Sequence, residues 1–249
     1  MSDLVSSIRE NYQRTLDQIS NAARKSGRNP EDIKLVVVTK SQPLEVVQAA
    51  VEAGVRILGE NYPEEGVTKI QSLPRQSGVE WHMIGHVQSR KARLVAEHYE
   101  LLHSLDSLKL AKRLDRFAAE KERILPVLLE FNVGGEETKA GWDALDDSRW
   151  DIFFPEIQSI VDLPNLRVHG LMSMPPLGTD PEDSRRFFQR LRLLRDHLAV
   201  HFPDADWSEL SMGTSADYTV AVEEGATLVR VGTAIVGARR YKSEKDPFK

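Results

Sequence analysis

A lysine stands at the end of an apolar, β-branched segment near the start of the chain. Residues 33–39 read IKLVVVT, and Lys40 follows them directly. Such a segment favours a buried strand, with the lysine amine at its end. Desolvation and neighbouring cations lower a lysine pKa in such a place, and the amine can then form a Schiff base with a carbonyl compound. The alternative is a solvated lysine without a chemical role.

Two glycine turns near the other end of the chain have the composition of an anion site. The first is SMGTS at residues 211–215, where Gly213 allows close backbone approach and Ser215 is a good N-cap for the helix that follows. The second is Gly232-Thr233, after an apolar run. Free amides at such turns and helix starts bind phosphate groups. The alternative is a pair of ordinary tight turns.

Arg230 precedes the second turn, and two kinds of partner suit it. An arginine keeps its proton, so beside a cofactor's ring nitrogen it leaves that nitrogen unprotonated and a poor electron sink. In the alternative, Arg230 forms a salt bridge with an acidic residue at the end of its strand. The residue type alone leaves both open.

Eight short apolar runs alternate with segments of helical spacing. The fifth run is interrupted by charge only at Glu130, as in a strand buried on both faces of a parallel sheet. Eight such units match a single (β/α)8 TIM barrel, in which sites lie at the C-terminal strand ends. An open doubly wound sheet is the rival, disfavoured because no GxGxxG motif follows the first run. The runs occupy residues 33–39, 55–58, 81–84, 101–105, 124–133, 166–172, 207–212 and 227–231.

An additional amphipathic helix precedes the barrel. Apolar residues recur at spacings of three or four from Leu4 to Ile19, and Gly27 and Pro30 are stop signals. We therefore divide the chain into an N-terminal helix packed on the barrel, the barrel itself and a C-terminal tail, at residues 1–28, 33–240 and 241–249.

The composition excludes several classes of protein. The 249 residues are 41% hydrophobic, which supports a globular core, and the net charge of -5 gives no basic surplus for nucleic acid. The absence of cysteine excludes disulfides and thiolate sites. No secretory signal and no span of about 20 apolar residues is present, so we expect a soluble cytoplasmic protein. We expect no metal site, because metal-ligand spacing is absent at His82, His86, His98 and His103.

Six motifs in order along the chain carry a family resemblance. They read VVVTKSQP, GENYPEE, WHMIGHVQSRK, NVGGEETKAGW, GLMSMPP and LSMGTSADYTVAVEEGATLVRVGTAIVG. With them the chain resembles the pyridoxal phosphate homeostasis proteins, whose barrel is similar to the N-terminal barrel of bacterial alanine racemases. Two departures are Thr39, where the family commonly has serine, and Pro63 in the second motif. Thr39 retains a hydroxyl, and a proline is accommodated in a first helical turn.

The resemblance implies a cofactor and the residues that bind it. It implies that Lys40 carries pyridoxal 5'-phosphate (PLP) as an internal aldimine and that Arg230 faces the pyridine nitrogen. The phosphate is then held, largely through backbone amides, by Ser211, Ser215, Gly232 and Thr233. The remaining implied members of the cofactor site are Asn61, His86, Met172 and Met212.

Three activities compete for such a barrel. The first is cofactor buffering or delivery with little or no turnover, and the second is an amino-acid racemase with Lys40 as base. The third, a Schiff-base aldolase, fails because its reactive lysine would lie later in the barrel. We favour the first, because a chain ending at Lys249 has no room for the further domain that supplies a racemase's opposing base. We expect a monomer, with PLP-dependent apo-enzymes as candidate partners.

Overall fold

Eight parallel strands form a closed barrel in the computed structural model, which describes residues 2–74, 78–136, 139–176 and 178–238. Strands β1 to β5 pair in chain order, β5 continues through β7 and β8 to β9, and β9 returns to β1. Strand β6 lies outside this ring and pairs with β5. The strands are β1 (Lys34–Val38), β2 (Ile57–Glu60), β3 (Glu80–Met83), β4 (Leu101–Leu105), β5 (Leu125–Asn132), β6 (Trp142–Asp143), β7 (Leu166–Met172), β8 (Glu209–Ser211) and β9 (Leu228–Val231).

Helices surround the barrel in the order that the alternating pattern predicts. Pro63 occupies the first turn of its helix, and the Ser107 hydroxyl caps the helix after it by accepting from the Leu110 amide at 3.4 Å. The helices are α1 (Ser2–Lys25), α2 (Leu44–Glu52), α3 (Pro63–Ser72), α4 (Ala92–His98), α5 (Leu108–Ala119), α6 (Phe154–Val161), α7 (Arg185–His201), α8 (Tyr218–Glu223) and α9 (Thr233–Val236). None of the helices in the described ranges has the length and apolar character that crossing a bilayer requires.

Helix α1 packs against α2, α8 and α9, next to the meeting point of β1 and β9. Just beyond its end, the Arg28 guanidinium donates to the carbonyls of Val222 at 2.7 Å and Ala226 at 2.8 Å. Lys25 forms an ion pair with Glu223 at 2.6 Å. The first helix is therefore tied to the last strand-helix units of the barrel.

The core has two parts. Most buried side chains lie between the strands and the surrounding helices, where the amphipathic helices cover the barrel. A smaller apolar cluster is formed by Val36, Leu128, Met172 and Leu228, which come from four different barrel strands. Polar side chains from β3, β4, β8 and β9 are also fully buried, and they belong to the site described below.

The predicted fold is confirmed: a single (β/α)8 barrel with an additional N-terminal helix. Each predicted apolar run contains a barrel strand or overlaps one, and β4 and β7 have the predicted bounds. Strand β6 and the 3-10 helix Asp147–Phe153 were not predicted. The division at residues 28, 33 and 240 stays a prediction, and the tail 241–249 lies outside the described residues.

Candidate functional site

A cavity of about 340 Å³ opens at the C-terminal ends of β1, β8 and β9. Its size lies within the range of small-molecule and cofactor sites. Six of the ten predicted site residues line it together: Lys40, Asn61, Ser215, Arg230, Gly232 and Thr233. The cavity also has a lining residue that the sequence did not single out, Met174.

The backbone turns sharply after Lys40. Ser41 has a φ of 57°, a left-handed conformation that is costly for a residue with a side chain. Its amide donates to the Glu65 carboxylate at 2.7 Å, and the Gln42 amide donates to the Thr39 carbonyl at 3.1 Å. This turn ends β1 and leaves Lys40 at the cavity wall.

A buried ionic cluster lies behind Lys40. The Glu60 carboxylate accepts hydrogen bonds from the Thr39 hydroxyl at 2.6 Å and from the Lys69 ammonium at 2.7 Å. Burial raises the pKa of Glu60 to about 7, against the opposing effect of Lys69. Lys69 also donates to the Thr39 carbonyl at 2.7 Å and to Glu65 at 2.6 Å. All three ammonium protons of Lys69 are thus engaged in hydrogen bonds, which makes Lys69 a poor nucleophile.

The turn after β8 has a conformation that requires glycine. Gly213 has a φ of 92°, and a Cβ there would lie 2.6 Å from the Ala221 Cβ. The next residue, Thr214, donates its amide to the Asp217 carboxylate at 2.7 Å, which holds the turn closed. Within the described ranges, the amides of Ser215 and Ala216 donate to no protein acceptor, and both residues line the cavity.

The Ser215 hydroxyl connects the two predicted turns. It accepts a hydrogen bond from the Gly232 amide at 3.3 Å. The prediction that Ser215 caps the next helix is wrong, because α8 begins at Tyr218 and its N-cap position is occupied by Asp217. At the second turn, a Cβ on Gly232 would lie 3.2 Å from the Val38 carbonyl oxygen, so this turn packs closely on β1.

Arg230 is buried at the base of the cavity, with 4% of its surface exposed. Its guanidinium donates to the Ser173 carbonyl at 2.8 Å and to the Ser211 hydroxyl. Burial lowers the pKa of Arg230 to about 10, and the carboxylates of Glu130 and Asp217 oppose that shift. The group is charged at neutral pH. Of the two partners expected from the sequence, an acidic residue is not in direct contact with Arg230 among the residues that the structure describes.

A chain of hydrogen bonds continues from Arg230 through the barrel interior. The Ser211 hydroxyl lies 2.7 Å from His103 Nδ1, and His103 Nε2 lies 3.0 Å from His82 Nδ1. Burial keeps the pKa of His103 well below its ordinary value, so this imidazole is neutral. Ser211 accepts from Arg230 and has its own proton to donate to Nδ1; in that tautomer, Nε2 carries the His103 proton and donates to His82 Nδ1.

Four predicted site residues are absent from the cavity lining: Ser211, Met172, Met212 and His86. Ser211 lies beneath Arg230, with its hydroxyl engaged as described. Met172 belongs to the small apolar cluster, and Met212 packs in the outer core between barrel and helices. Their expected contact with a cofactor stays a prediction of the resemblance.

His86 lines a second, adjoining cavity of about 510 Å³, which shares Asn61, Ile84 and Met174 with the first. Its imidazole pairs with Asp106 at 2.8 Å, and the side chain is 59% exposed. Opposite lies Glu130, whose Oε2 is buried without a partner in the described part of the chain.

Glu130 is the most perturbed group of this second cavity. Burial raises its pKa to about 7, and Asp106 acts in the same direction. Arg230 and Lys139 oppose the shift. The sequence marked Glu130 as the single charge in an apolar run but assigned it no role, and that isolated charge was the available signal.

The barrel and the position of this site define a class of protein. The family described as alanine racemase, N-terminal domain, matches residues 8–240, so the chain belongs to that family. An alanine racemase of Clostridium difficile shares the fold with a TM-score of 0.69 at 18% identity, over 96% of this chain and 61% of that one.

Nearer relatives define the family more narrowly. A pyridoxal phosphate homeostasis protein of Vibrio alginolyticus is 41% identical over 240 residues, 95% of this chain and 100% of the relative. The structure of PipY from Synechococcus elongatus with PLP bound is 34% identical, with a TM-score of 0.75, over 88% of this chain and 100% of that one. The chain is a member of the pyridoxal phosphate homeostasis protein family, as the resemblance implied.

Proposed function

We propose that this chain binds PLP in the 340 Å³ cavity through Lys40 and serves in PLP homeostasis, with little or no turnover. The observation that carries the proposal is the convergence, in one cavity, of a lysine, two glycine turns, free amides at the first of these turns and a buried arginine. The names of the relatives and the PLP-bound PipY structure support it.

The residues present fit this cofactor. PLP supplies an aldehyde for a lysine amine and a phosphate for an anion site. The exposed amides of Ser215 and Ala216 suit the phosphate, and Gly232 leaves the space in which a Cβ would crowd β1. Lys40 is positioned by the strained turn at Ser41, whose amide donates to the Glu65 carboxylate.

Arg230 supports binding over catalysis. A guanidinium that stays protonated can donate to the pyridine nitrogen but cannot give that nitrogen a proton. Its orientation is fixed by Ser211 and the Ser173 carbonyl. Tyr218 packs against α1 through a hydrogen bond to Gln18, and no tyrosine in the described ranges lines the cavity. An opposing base of the kind that a racemase needs is therefore not supplied by these residues.

The test is attachment of the cofactor to one lysine. Protein purified with PLP should be yellow, and reduction with borohydride should fix one cofactor to Lys40, identified by mass spectrometry of peptides. Lys40→Ala should abolish this adduct. Lys139→Ala removes the lysine of the adjoining cavity and should retain it. An adduct that persists on another barrel lysine in Lys40→Ala would contradict the assignment.

A second measurement tests the absence of turnover. Loaded protein is incubated with single enantiomers of several amino acids, and racemisation is followed by chiral chromatography. Sustained turnover of about 1 per second or more, an ordinary enzyme rate, would replace the homeostasis proposal with the racemase. We further propose a cytoplasmic monomer that delivers PLP to apo-enzymes. Light scattering measures the oligomeric state, and transfer of the cofactor to an apo-enzyme measures delivery.

A further inference from the structure

Two histidines and an aspartate meet on the outside of the barrel. His197 and His201 are four residues apart on α7, so they lie on one face of the helix. Asp151 comes from the 3-10 helix Asp147–Phe153, which precedes α6. One ligand atom from each of the three lies within 4.8 Å of the others. None of these residues lines the cofactor cavity.

Hydrogen bonds orient the imidazole rings on this face. His201 Nδ1 lies 2.8 Å from the His197 carbonyl, so it carries the proton of the neutral ring and Nε2 keeps a lone pair. A backbone carbonyl fixes the tautomer of metal-binding histidines in this way. His197 Nε2 already faces a carboxylate oxygen, Asp151 Oδ1, at 2.9 Å.

Aromatic packing holds both imidazoles in place. The Phe154 ring centroid lies 4.5 Å from that of His201 and 5.5 Å from that of His197. Trp150, in the 3-10 helix, also packs on His197, with the two ring centroids 5.5 Å apart. A tetrahedral ion requires the three ligand atoms to move slightly closer together. The Asp151 side chain is 74% exposed and can rotate, so it is the ligand that moves most easily.

We propose that Asp151, His197 and His201 form a binding site for a divalent transition-metal ion of the Zn²⁺ type, with water completing the coordination. Two imidazoles and one carboxylate suit Zn²⁺, Ni²⁺ or Cu²⁺, whereas Mg²⁺ and Ca²⁺ require mostly oxygen ligands. The ion replaces the His197–Asp151 hydrogen bond and links α7 to the segment before α6. The expectation of no metal site considered four histidines of the barrel and did not include this pair.

The test is a calorimetric titration of the full-length, chelator-treated protein with Zn²⁺. We expect one ion per chain, with affinity lowered more than about tenfold by His201→Ala, since even the loss of an outer-shell partner costs that much. The matched control is His169→Ala, which removes a partly exposed histidine paired with Asp206 and should leave the affinity unchanged. Equal Zn²⁺ binding by wild type and His201→Ala would overturn the proposal, and so would equally tight binding of Mg²⁺.

A second readout covers the case in which a variant folds poorly. Cu²⁺ quenches tryptophan fluorescence at short range, and Trp150 is next to His197. Quenching at one equivalent of Cu²⁺ should therefore be large in wild type and small in Trp150→Phe, although both bind the ion. Zn²⁺ should also raise the thermal unfolding midpoint of wild type, because an ion that binds the folded state stabilises it. Equal quenching in Trp150→Phe would place the ion elsewhere and refute the site.

Discussion

The two adjoining cavities at the mouth of the barrel are lined by different kinds of chemical groups. The first, next to Lys40, includes two glycine turns, the unpaired amides of Ser215 and Ala216 in the described ranges, and one buried arginine. The second, next to His86, includes the ionisable side chains of Glu130 and Lys139. They meet at Asn61, Ile84 and Met174, which line both.

The first cavity thus has a fixed shape, whereas the second contains a charge that depends on pH. In the first cavity, the turns at Gly213 and Gly232 pack so closely on their neighbours that a Cβ would lie within 2.6 Å and 3.2 Å of other atoms. The shape of this cavity is therefore set when the barrel folds. In the second, Glu130 has a pKa of about 7, so its charge changes near neutral pH. The first cavity is therefore suited to holding one ligand, and the second to responding to its surroundings.

The largest effect should follow a change of shape in the first cavity. In Gly213→Ala, the new Cβ would collide with Ala221 at a φ of 92°. We expect a loss of about 4 kcal/mol in the free energy of unfolding, roughly half each from overpacking and backbone strain. PLP affinity should fall more than about tenfold, because the displaced turn carries the amides that we propose bind the phosphate. Denaturant unfolding and cofactor titration measure the two losses.

A matched glycine separates strain from the collision. Gly54 has a φ of 106°, and a Cβ there would have no neighbour within 4 Å. Gly54→Ala should thus cost about half as much stability, with unchanged PLP affinity. If Gly213→Ala bound PLP as wild type does, the proposed rigidity of the first cavity would be disproved.

A smaller effect should appear in the second cavity as a pH dependence of stability. The folded chain keeps the Glu130 proton between the ordinary pKa of 4.5 and about 7, whereas the unfolded chain loses it. The free energy of unfolding therefore falls as the pH rises through this window, by at most about 3 kcal/mol, and levels off above it. Glu130→Gln should remove this part of the slope in urea unfolding from about pH 5 to pH 8. Parallel curves for the two proteins would show that Glu130 is not perturbed.

The smallest effect should come from His86. The His86 side chain is 59% exposed in its ion pair with the more buried Asp106, so His86→Ala should change stability by only about 1 kcal/mol. PLP affinity should change less than it does in Asn61→Ala, because Asn61 lines both cavities. Titration of the two variants side by side decides the matter. A greater loss in His86→Ala would mean that His86 contacts the cofactor, as the resemblance implies.

The sequence predicted the barrel well because alternation of apolar runs and helical segments is a local property. It also placed Lys40 and Gly232 correctly, since a residue that follows a parallel strand in a barrel must lie at the mouth. The positions of Ser211 and Met212 were harder to predict. Adjacent strand residues point to opposite faces, so whether a side chain enters the cavity depends on strand tilt and register.

Contacts between distant segments could not be predicted from spacing. The four-residue interval between His197 and His201 is visible in the chain, but Asp151 joins them only through the packing of α7 against the segment before α6. The pKa of Glu130 depends likewise on burial and on Asp106, Arg230 and Lys139, which come from other elements. Physical properties that arise from three or more elements require the folded structure.

The cofactor cavity lies across the seam where the first strand of the barrel meets the last. Lys40 follows β1, Arg230 and Gly232 belong to β9 or follow it, and α1 is tied to α8 on the same side. The residues of β9 must therefore be synthesised before the two walls of the site can meet. A molecule bound to both walls holds the ring shut, so occupancy and completion of folding are coupled. A chain that ends before β9 lacks Arg230 and Gly232, and with them one wall of the cavity.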